Sequence, residues 1–359
     1  MKKATFFAPL FAIVIVLSFT LCAAAAEPVK LPSRLDWSTH RAGSGGAAIA
    51  MGFATVASEN GPIMVVVAPT SGPLSYVKQI NDIGKPQLGN GNSLDIFWMY
   101  FNEVAPIPIP DHMLGDKPFY PQAFKNLRLI AAAGRMAVGF LVLDQSPYKK
   151  VTDLKGARLA SGYLAQPSAF SPLVADLLNV GMTLKDFKQV SVTSPAAGIP
   201  ALGENRVDAV HCAVGMAQAA EVNSRVKVRY LPAGTDPAGI KRAQDVIPGA
   251  SYPKWEPGPP GLLEPLPLLT FAQNIICNKD LPDAVVESLL NTWWDNMDKI
   301  RPLHPLLSKL TSPKMLFEPK AGMPYHSGAV KFFKKKGIWD AKQDVYQKRI
   351  LNNEKPFLD

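Results

Sequence analysis

KQVSVTSPAAGIPALGENRVDAVHCAVGMAQAAEVN, residues 188–223, decides the fold. Residues 188–192 are a short β-branched run and 208–214 a second apolar run. Between and after them, residues 196–204 and 217–223 carry small and apolar side chains at helical spacing. Strand, helix, strand and helix in that order predict parallel strands joined by crossover helices, an α/β class. Outward toward the C-terminus, 227–231 reads as a strand. Toward the N-terminus, 168–180 reads as a helix closed by Gly181. Before it stand a strand over 158–161, a turn of helix over 151–156 ended by glycine, and strands over 127–133 and 138–144. Further out, 93–101 is expected as a strand with a following turn, 74–83 as a helix, 63–68 as a strand, and 47–59 as a helix opening after a glycine cluster. Residues 248–267, rich in proline and glycine, are expected to be irregular. A strand over 268–277 and a long helix over 282–299 follow. In that helix Leu289, Leu290, Trp293, Trp294 and Met297 fall on one stripe, read as core packing.

The chain has 359 residues, which suits two domains or lobes at roughly 100–200 residues each. With 47% apolar and 19% charged residues it is neither disordered nor a tail or linker protein. Lys2 and Lys3 precede an apolar run from Phe6 to Leu21, followed by Ala23–Ala26. A basic start, an apolar middle and small residues at the end predict a signal peptide over 1–26, cleaved near Ala26. The run is shorter than the roughly 20 residues a membrane span needs. An exported, soluble periplasmic protein is therefore expected. Cys212 and Cys277 both sit in apolar runs; in an oxidising compartment they could pair, and two separate buried thiols is the reading the runs favour. The net charge of +9 is modest and diffuse, and no basic pattern with interleaved aromatics points to nucleic acid.

Catalytic chemistry finds little footing. The five histidines, His40, His112, His211, His304 and His326, never stand at metal-site spacing, and HExxH, CxxC, Walker and GxSxG patterns do not occur. Residues 43–48, GSGGAA, fit the GxGxxA form of a dinucleotide turn, but such a short match is weak and an exported chain is a poor candidate for a nicotinamide cofactor. No catalytic residue, metal or cofactor is expected. A glycine-flanked serine before a helix has a simpler use. Backbone N–H groups at a helix start are unpaired and partly positive, and they bind a carboxylate or phosphate without chemistry. Four strand-to-helix turns offer this device: 43–46, 69–74, 166–168 and Gly215. In open α/β sheets such turns converge outside the carboxyl ends of the strands, which favours a binding cleft.

At its C-terminal side the chain carries MPYHSGAVKFFKKKGI, residues 323–338, similar to the closing Pro-x-His-x-Gly-Ala segment of the TAXI group of solute receptors. That group serves TRAP-type secondary transporters. Residues 201–209, ALGENRVDA, and the glycine loop 43–46 are similar to further stretches of the group. Residues 151–160, VTDLKGARLA, match a phrase widespread among binding proteins. The resemblance runs from about Arg41 to Trp339. It implies a type II periplasmic-binding-protein fold, each lobe a mixed, mostly parallel sheet flanked by helices. Lobe one would be 27–139 plus 271–359, and lobe two 140–270. It also implies a monomeric receptor that binds a small organic acid and docks on a TRAP-type membrane permease.

Departures from the group's pattern bear on the ligand. Ala47-Ala48 stand where the group has Thr-Tyr, residues 72–76 (GPLSY) where it has Gly-Ser-x-x-Asn, and residues 167–169 (PSA) where it has Gly-Ser-Gly. Group ligands are small carboxylates such as glutamate or 2-oxoglutarate. Losing these polar partners predicts a more apolar acid, aromatic or branched. The candidate ligand contacts are Ser44, Gly45, Gly46, Ser71, Gly72, Tyr76, Arg135, Gln166, Ser168 and Gly215. Arg135 could pair with a carboxylate or form a surface salt bridge, and Tyr76 could stack on a ring or pack. His211 reads as a core histidine and His326 as a helix cap. Lys331, Lys334, Lys335 and Lys336 read as a solvated face, with a docking patch as the sharper alternative. An extracytoplasmic sensor reporting to a signalling partner would use the same cleft. A secreted enzyme on this scaffold would need a nucleophile–base pair in it.

Overall fold

A computed structural model describes Met1 and residues 30–102, 120–163, 169–247, 250–319 and 321–354. The chain divides into two units, Met1–Lys30 and Leu31–Asp359, and everything below concerns the second. The expected signal segment falls outside the described residues.

Strand β1 (Arg34–Thr39) leads into helix α1 (Gly45–Asn60), β2 (Met64–Pro69), α2 (Val77–Ile83), β3 (Leu88–Asn92) and α3 (Ser93–Phe101). Then come β4 (Leu127–Leu143), β5 (Arg158–Gly162), α4 (Phe170–Asn179), β6 (Lys188–Val192), α5 (Pro195–Gly203), β7 (Ala209–Ala213), α6 (Ala217–Arg225), β8 (Val228–Tyr230) and α7 (Pro237–Val246). The two-residue strands β9 (Lys254–Trp255) and β10 (Leu266–Pro267) pair with each other inside the stretch expected to be irregular. β11 (Leu269–Asn278), α8 (Asp283–Asp295), α9 (Met297–Ile300), α10 (Ser327–Lys335) and α11 (Ala341–Leu351) complete the order.

One sheet runs β2-β1-β3-β11-β4-β7-β5-β6, with β8 also on β4. Both flanks are parallel: β1 pairs in parallel with β2 and β3, and β5 with β6 and β7. The centre is antiparallel. β4 pairs with β11 along Leu127–Val138, with β7 along Val138–Leu141 and with β8 along Leu141–Leu143. The expected α/β class, with mostly parallel strands flanked by helices, is the class the chain adopts.

Two expectations need correction. The strands over 127–133 and 138–144 are one 17-residue strand, β4. The small residues between them stay extended because β11 pairs across the gap, with register shifts opposite Ala133 and Ile130. Residues 93–101 form a helix, not a strand. The Asn92 side-chain oxygen accepts the Asp95 N–H at 2.8 Å, a helix-starting cap. Ile96, Trp98, Met99 and Tyr100 are all buried, so no polar face marks the helical period in this aromatic run. The strand before it, LGNGN, lacks an apolar pattern because it admits close neighbours: a β-carbon at Gly89 would stand 2.6 Å from Ile80 and one at Gly91 2.7 Å from Ile96.

The one helix expected over 282–299 is broken at Asn296 into α8 and α9, and its stripe across the two is core. Leu289, Leu290, Trp293 and Met297 are buried, and the Trp293 indole N–H donates to the Phe53 carbonyl at 3.0 Å, tying α8 to α1. Cys212 and Cys277 are buried free thiols.

Candidate functional site

The start of α1 is built for close approach. Ser44, in extended conformation, caps the helix: its Oγ accepts the Ala47 N–H at 3.3 Å, and its carbonyl accepts the Ala48 N–H at 3.0 Å. A β-carbon at Gly45 would fall 2.7 Å from Leu306 Cδ1 and 2.9 Å from Met136 Sδ. One at Gly46 would fall 2.5 Å from Nδ1 of His40, so glycine there is what lets the imidazole lie against the helix. The Gly46 carbonyl accepts from the Asn90 amide at 3.2 Å, and Asn90 in turn accepts the Trp37 indole N–H, which fixes α1 to β1 and β3. Gly45 and Gly46 are buried, and no acceptor among the described residues takes their N–H groups. An unpaired buried donor costs about 1–3 kcal/mol, so this helix start asks for a partner.

These residues border a cavity with about 80 Å³ for the centres of water-sized molecules. At about 10–15 Å³ each, that is room for on the order of five to eight waters. Three more helix starts reach the same space: Ala169 and Pro172 at α4, Ser194 to Ala196 at α5, and Met216 at α6. Ser194 caps α5 by accepting the Ala197 N–H at 3.3 Å. Gly215, at φ +79°, makes the left-handed turn from β7 into α6. The sheet contributes alternate residues of its central pair. Met136 lies opposite Phe271, and Val138 and Gln273 follow on the same face.

Among the described residues, two buried side chains in the wall lack hydrogen-bond partners for one atom each: His40 at Nδ1 and Gln273 at Nε2. Burial pushes the His40 imidazole down to about 4, so it is neutral at physiological pH. His211 also borders the cavity, and its Nε2 lies 2.9 Å from Asp176 Oδ2. Burial raises the Asp176 carboxyl above the usual range. The Cys212 thiol is pushed by burial to about 12 and is no nucleophile. Arg41, exposed, is the one cationic side chain among the described lining residues, and no carboxylate lines the space. Among the described residues no cluster of three or more His, Cys, Asp or Glu could hold a metal ion.

Of the expected contacts, Ser44, Gly45 and Gly46 border this cavity together. Ser71 is exposed and Gly72 opens a short 3-10 turn, Pro73–Ser75, outside the cavity wall. Tyr76 is buried, its hydroxyl donating to the Asn90 carbonyl at 2.7 Å, so it packs. Arg135 points to the face opposite Met136 and pairs with Glu318 at 3.1 Å. Gly215 stands beside the wall, where a β-carbon would meet the His304 ring at 3.0 Å. Gln166 and Ser168 lie outside the described residues. Ala47 and Ala48 do not border the cavity, and its apolar space comes from the sheet instead. Sequence reading passed over His40 and Gln273. The signal for His40 was its place just before the glycine loop, whereas a glutamine inside an apolar strand run was the signal for Gln273.

His326 caps α10 as expected, its Nδ1 accepting the Gly328 N–H at 3.1 Å. The basic run on that helix is partly neutralised within the chain: Lys331 pairs with Asp283, Lys334 with Asp344 at 2.8 Å, and Lys336 with Asp295 at 3.9 Å.

A sequence model of the family described as NMT1-like matches residues 109–337. No curated protein matches the chain. Among solved structures, MatC from Rhodopseudomonas palustris with bound malate is similar at 13% identity, over 89% of this chain and 99% of that one, with a TM-score of 0.51. An R. palustris protein solved with adipate is similar at 13% identity, over 91% and 99%, also at 0.51. The periplasmic aliphatic sulphonate binding protein SsuA from Escherichia coli is similar at 15% identity, over 90% of each chain, at 0.46. The first two share the fold of this chain.

Proposed function

The chain belongs to the NMT1-like family, and we propose that it is an exported receptor that captures a small organic acid in this cavity and hands it on unchanged. One observation carries the reading: the capped start of α1 brings two buried, unpaired N–H groups to a cavity that three other helix starts also border. Malate and adipate bound to two proteins of the same fold support an acid as the ligand class. Ser44, Gly45 and Gly46 hold the acid, with Gln273 and His40 beside them. Gln166 and Ser168 complete the set from the second lobe.

In this reading the lobes are 27–139 with 271–359, and 140–270. Residues from both border the cavity. The lobes also touch directly: a β-carbon at Gly43 would stand 3.3 Å from the Gln218 amide, and one at Gly215 3.0 Å from His304. That is a closed arrangement, and ligand binding shifts the balance toward it. The closed monomer docks on a membrane permease, and the resemblance to the TAXI group makes that partner of the TRAP type. The cavity lacks a reactive nucleophile–base pair among the described residues, which favours release over turnover.

A thermal-shift screen of the purified chain against small carboxylates tests the reading. An acid at about 100 times its Kd adds roughly 2.7 kcal/mol of stability and is recovered intact. If no acid shifts the melt, the receptor reading fails. Loss of labelled-acid uptake on deleting this gene in cells that keep the permease tests the transport role. An N-terminus at Glu27 in the exported protein tests the signal peptide.

A further inference from the structure

The charges around the cavity say which kind of acid it takes, an inference that rests on the cavity being the acid site. The donors aimed at the space are uncharged. The N–H groups of Gly45 and Gly46 have no acceptor among the described residues. The Gln273 side chain, 1% exposed, leaves its Nε2 without a partner among the described residues, and the His40 ring, 6% exposed, leaves Nδ1 without one. Burial keeps that ring neutral above pH 5. Behind the wall, Asp176 is acidic and engaged by His211. Arg41, the one described lining cation, is exposed to solvent. Ser44, Asn92, Ser194 and His211 add polar groups at the wall, and the rest of the described lining is apolar, with Met136, Val138, Phe271 and Pro172 as its main surfaces.

We infer that this cavity selects acids with a single carboxylate and a compact apolar body, branched or aromatic, and rejects dicarboxylates. One carboxylate satisfies the helix-start amides and the Gln273 amide, and the partial positive charge of the helix suits a single negative one. A second carboxylate in the same space would lose its water against methionine, valine and phenylalanine with no buried cation to meet it. Desolvating an unpaired charge is far more costly than anything its methylenes gain. The malate- and adipate-bound proteins of the same fold, by contrast, were solved with dicarboxylates.

Titration calorimetry on the purified chain at pH 7 tests it, with isovalerate, benzoate and phenylacetate set against succinate, malate and adipate. The expected result is at least tenfold tighter binding of the single acids. Equal or tighter binding of a dicarboxylate overturns the inference and leaves the receptor reading standing. Failure of every acid to bind overturns the reading and the inference together. Isovaleramide binding as tightly as isovalerate shows that the charge is not recognised and overturns the inference as well. Gln273→Leu, similar in size and apolar, is expected to lower isovalerate affinity at least tenfold with an unchanged far-ultraviolet spectrum. Unchanged affinity removes Gln273 from the site. Should that variant not fold, Gln273→Met is measured in its place, and the ligand series on the parent chain decides the selectivity.

Discussion

Two glycine loops open helices on the same flank of the sheet, and only one borders the cavity. The loop at 43–46 starts a helix of 16 residues, buries Gly45 and Gly46, and leaves their N–H groups without an acceptor among the described residues. The loop at 70–76 satisfies itself. The Thr70 hydroxyl donates to the Thr39 carbonyl at 2.7 Å and accepts the Gly72 N–H at 3.2 Å, while the Ser75 hydroxyl donates to the Gly72 carbonyl at 2.6 Å. It opens only a 3-10 turn, and nothing lies within 4 Å of where a Gly72 β-carbon would be. A glycine–serine turn therefore becomes a site when its polar groups are left over and buried, not because it has glycines and hydroxyls.

Acid should separate the two loops most. His40 packs on the first, and its folded value of about 4 lies below the ordinary 6.5. Between those values the unfolded chain binds the proton and the folded one does not, so stability is complete above pH 6.5 and falls as pH drops toward 4. The loss amounts to about 3 kcal/mol as an order of magnitude. Burial lowers His304 and His326 as well, in the same sense. Urea melts from pH 4 to 7 on the parent and on His40→Gln isolate the first loop's share: the variant curve should be flatter. Parallel curves would mean the ring is not what ties the loop to acid. Tyr76, buried beneath the second loop, stays neutral throughout this range.

Next in size is a methyl group on each loop. Gly46→Ala drives a β-carbon into His40 and should cost about 1–3 kcal/mol, with at least tenfold weaker acid binding. Gly72→Ala meets open space and pays only for its backbone at φ +140°, ψ −175°, about 1–3 kcal/mol, with binding unchanged. Equal losses of affinity in calorimetry would erase the distinction between the loops. The smallest contrast is between the serines. Ser44→Ala removes a helix cap and should cost about 1 kcal/mol in denaturant melts. Ser71→Ala, at an exposed position, should stay within about 0.5 kcal/mol.

Much of this was legible in the chain. The flank of β5, β6 and β7 followed from apolar runs alternating with helical ones, whereas of the other flank only β2, α1 and α2 did and β1 went unread; the cap at Ser44 followed from its place before small residues. Ser93–Phe101 misled because Ile96, Trp98, Met99, Tyr100 and Phe101 are all buried, so the aromatic run has no polar face to give its period away, and the Asn92 cap marks its start. β3 was invisible because its glycines exist to admit Ile80 and Ile96. The cavity floor was invisible for a different reason: Met136 and Phe271 are far apart in sequence, and only the pairing of β4 with β11 puts them side by side.

That pairing also sets an order of assembly. The flank made by β4, β5, β6, β7 and β8 uses residues 127–230, whose partners lie close along the chain. The flank holding α1 needs β11 to reach both β3 and β4, across a separation of more than a hundred residues. Loop closure over that distance slows folding. The half bearing the glycine loop thus stays open until β11, more than a hundred residues further along the chain, has been made.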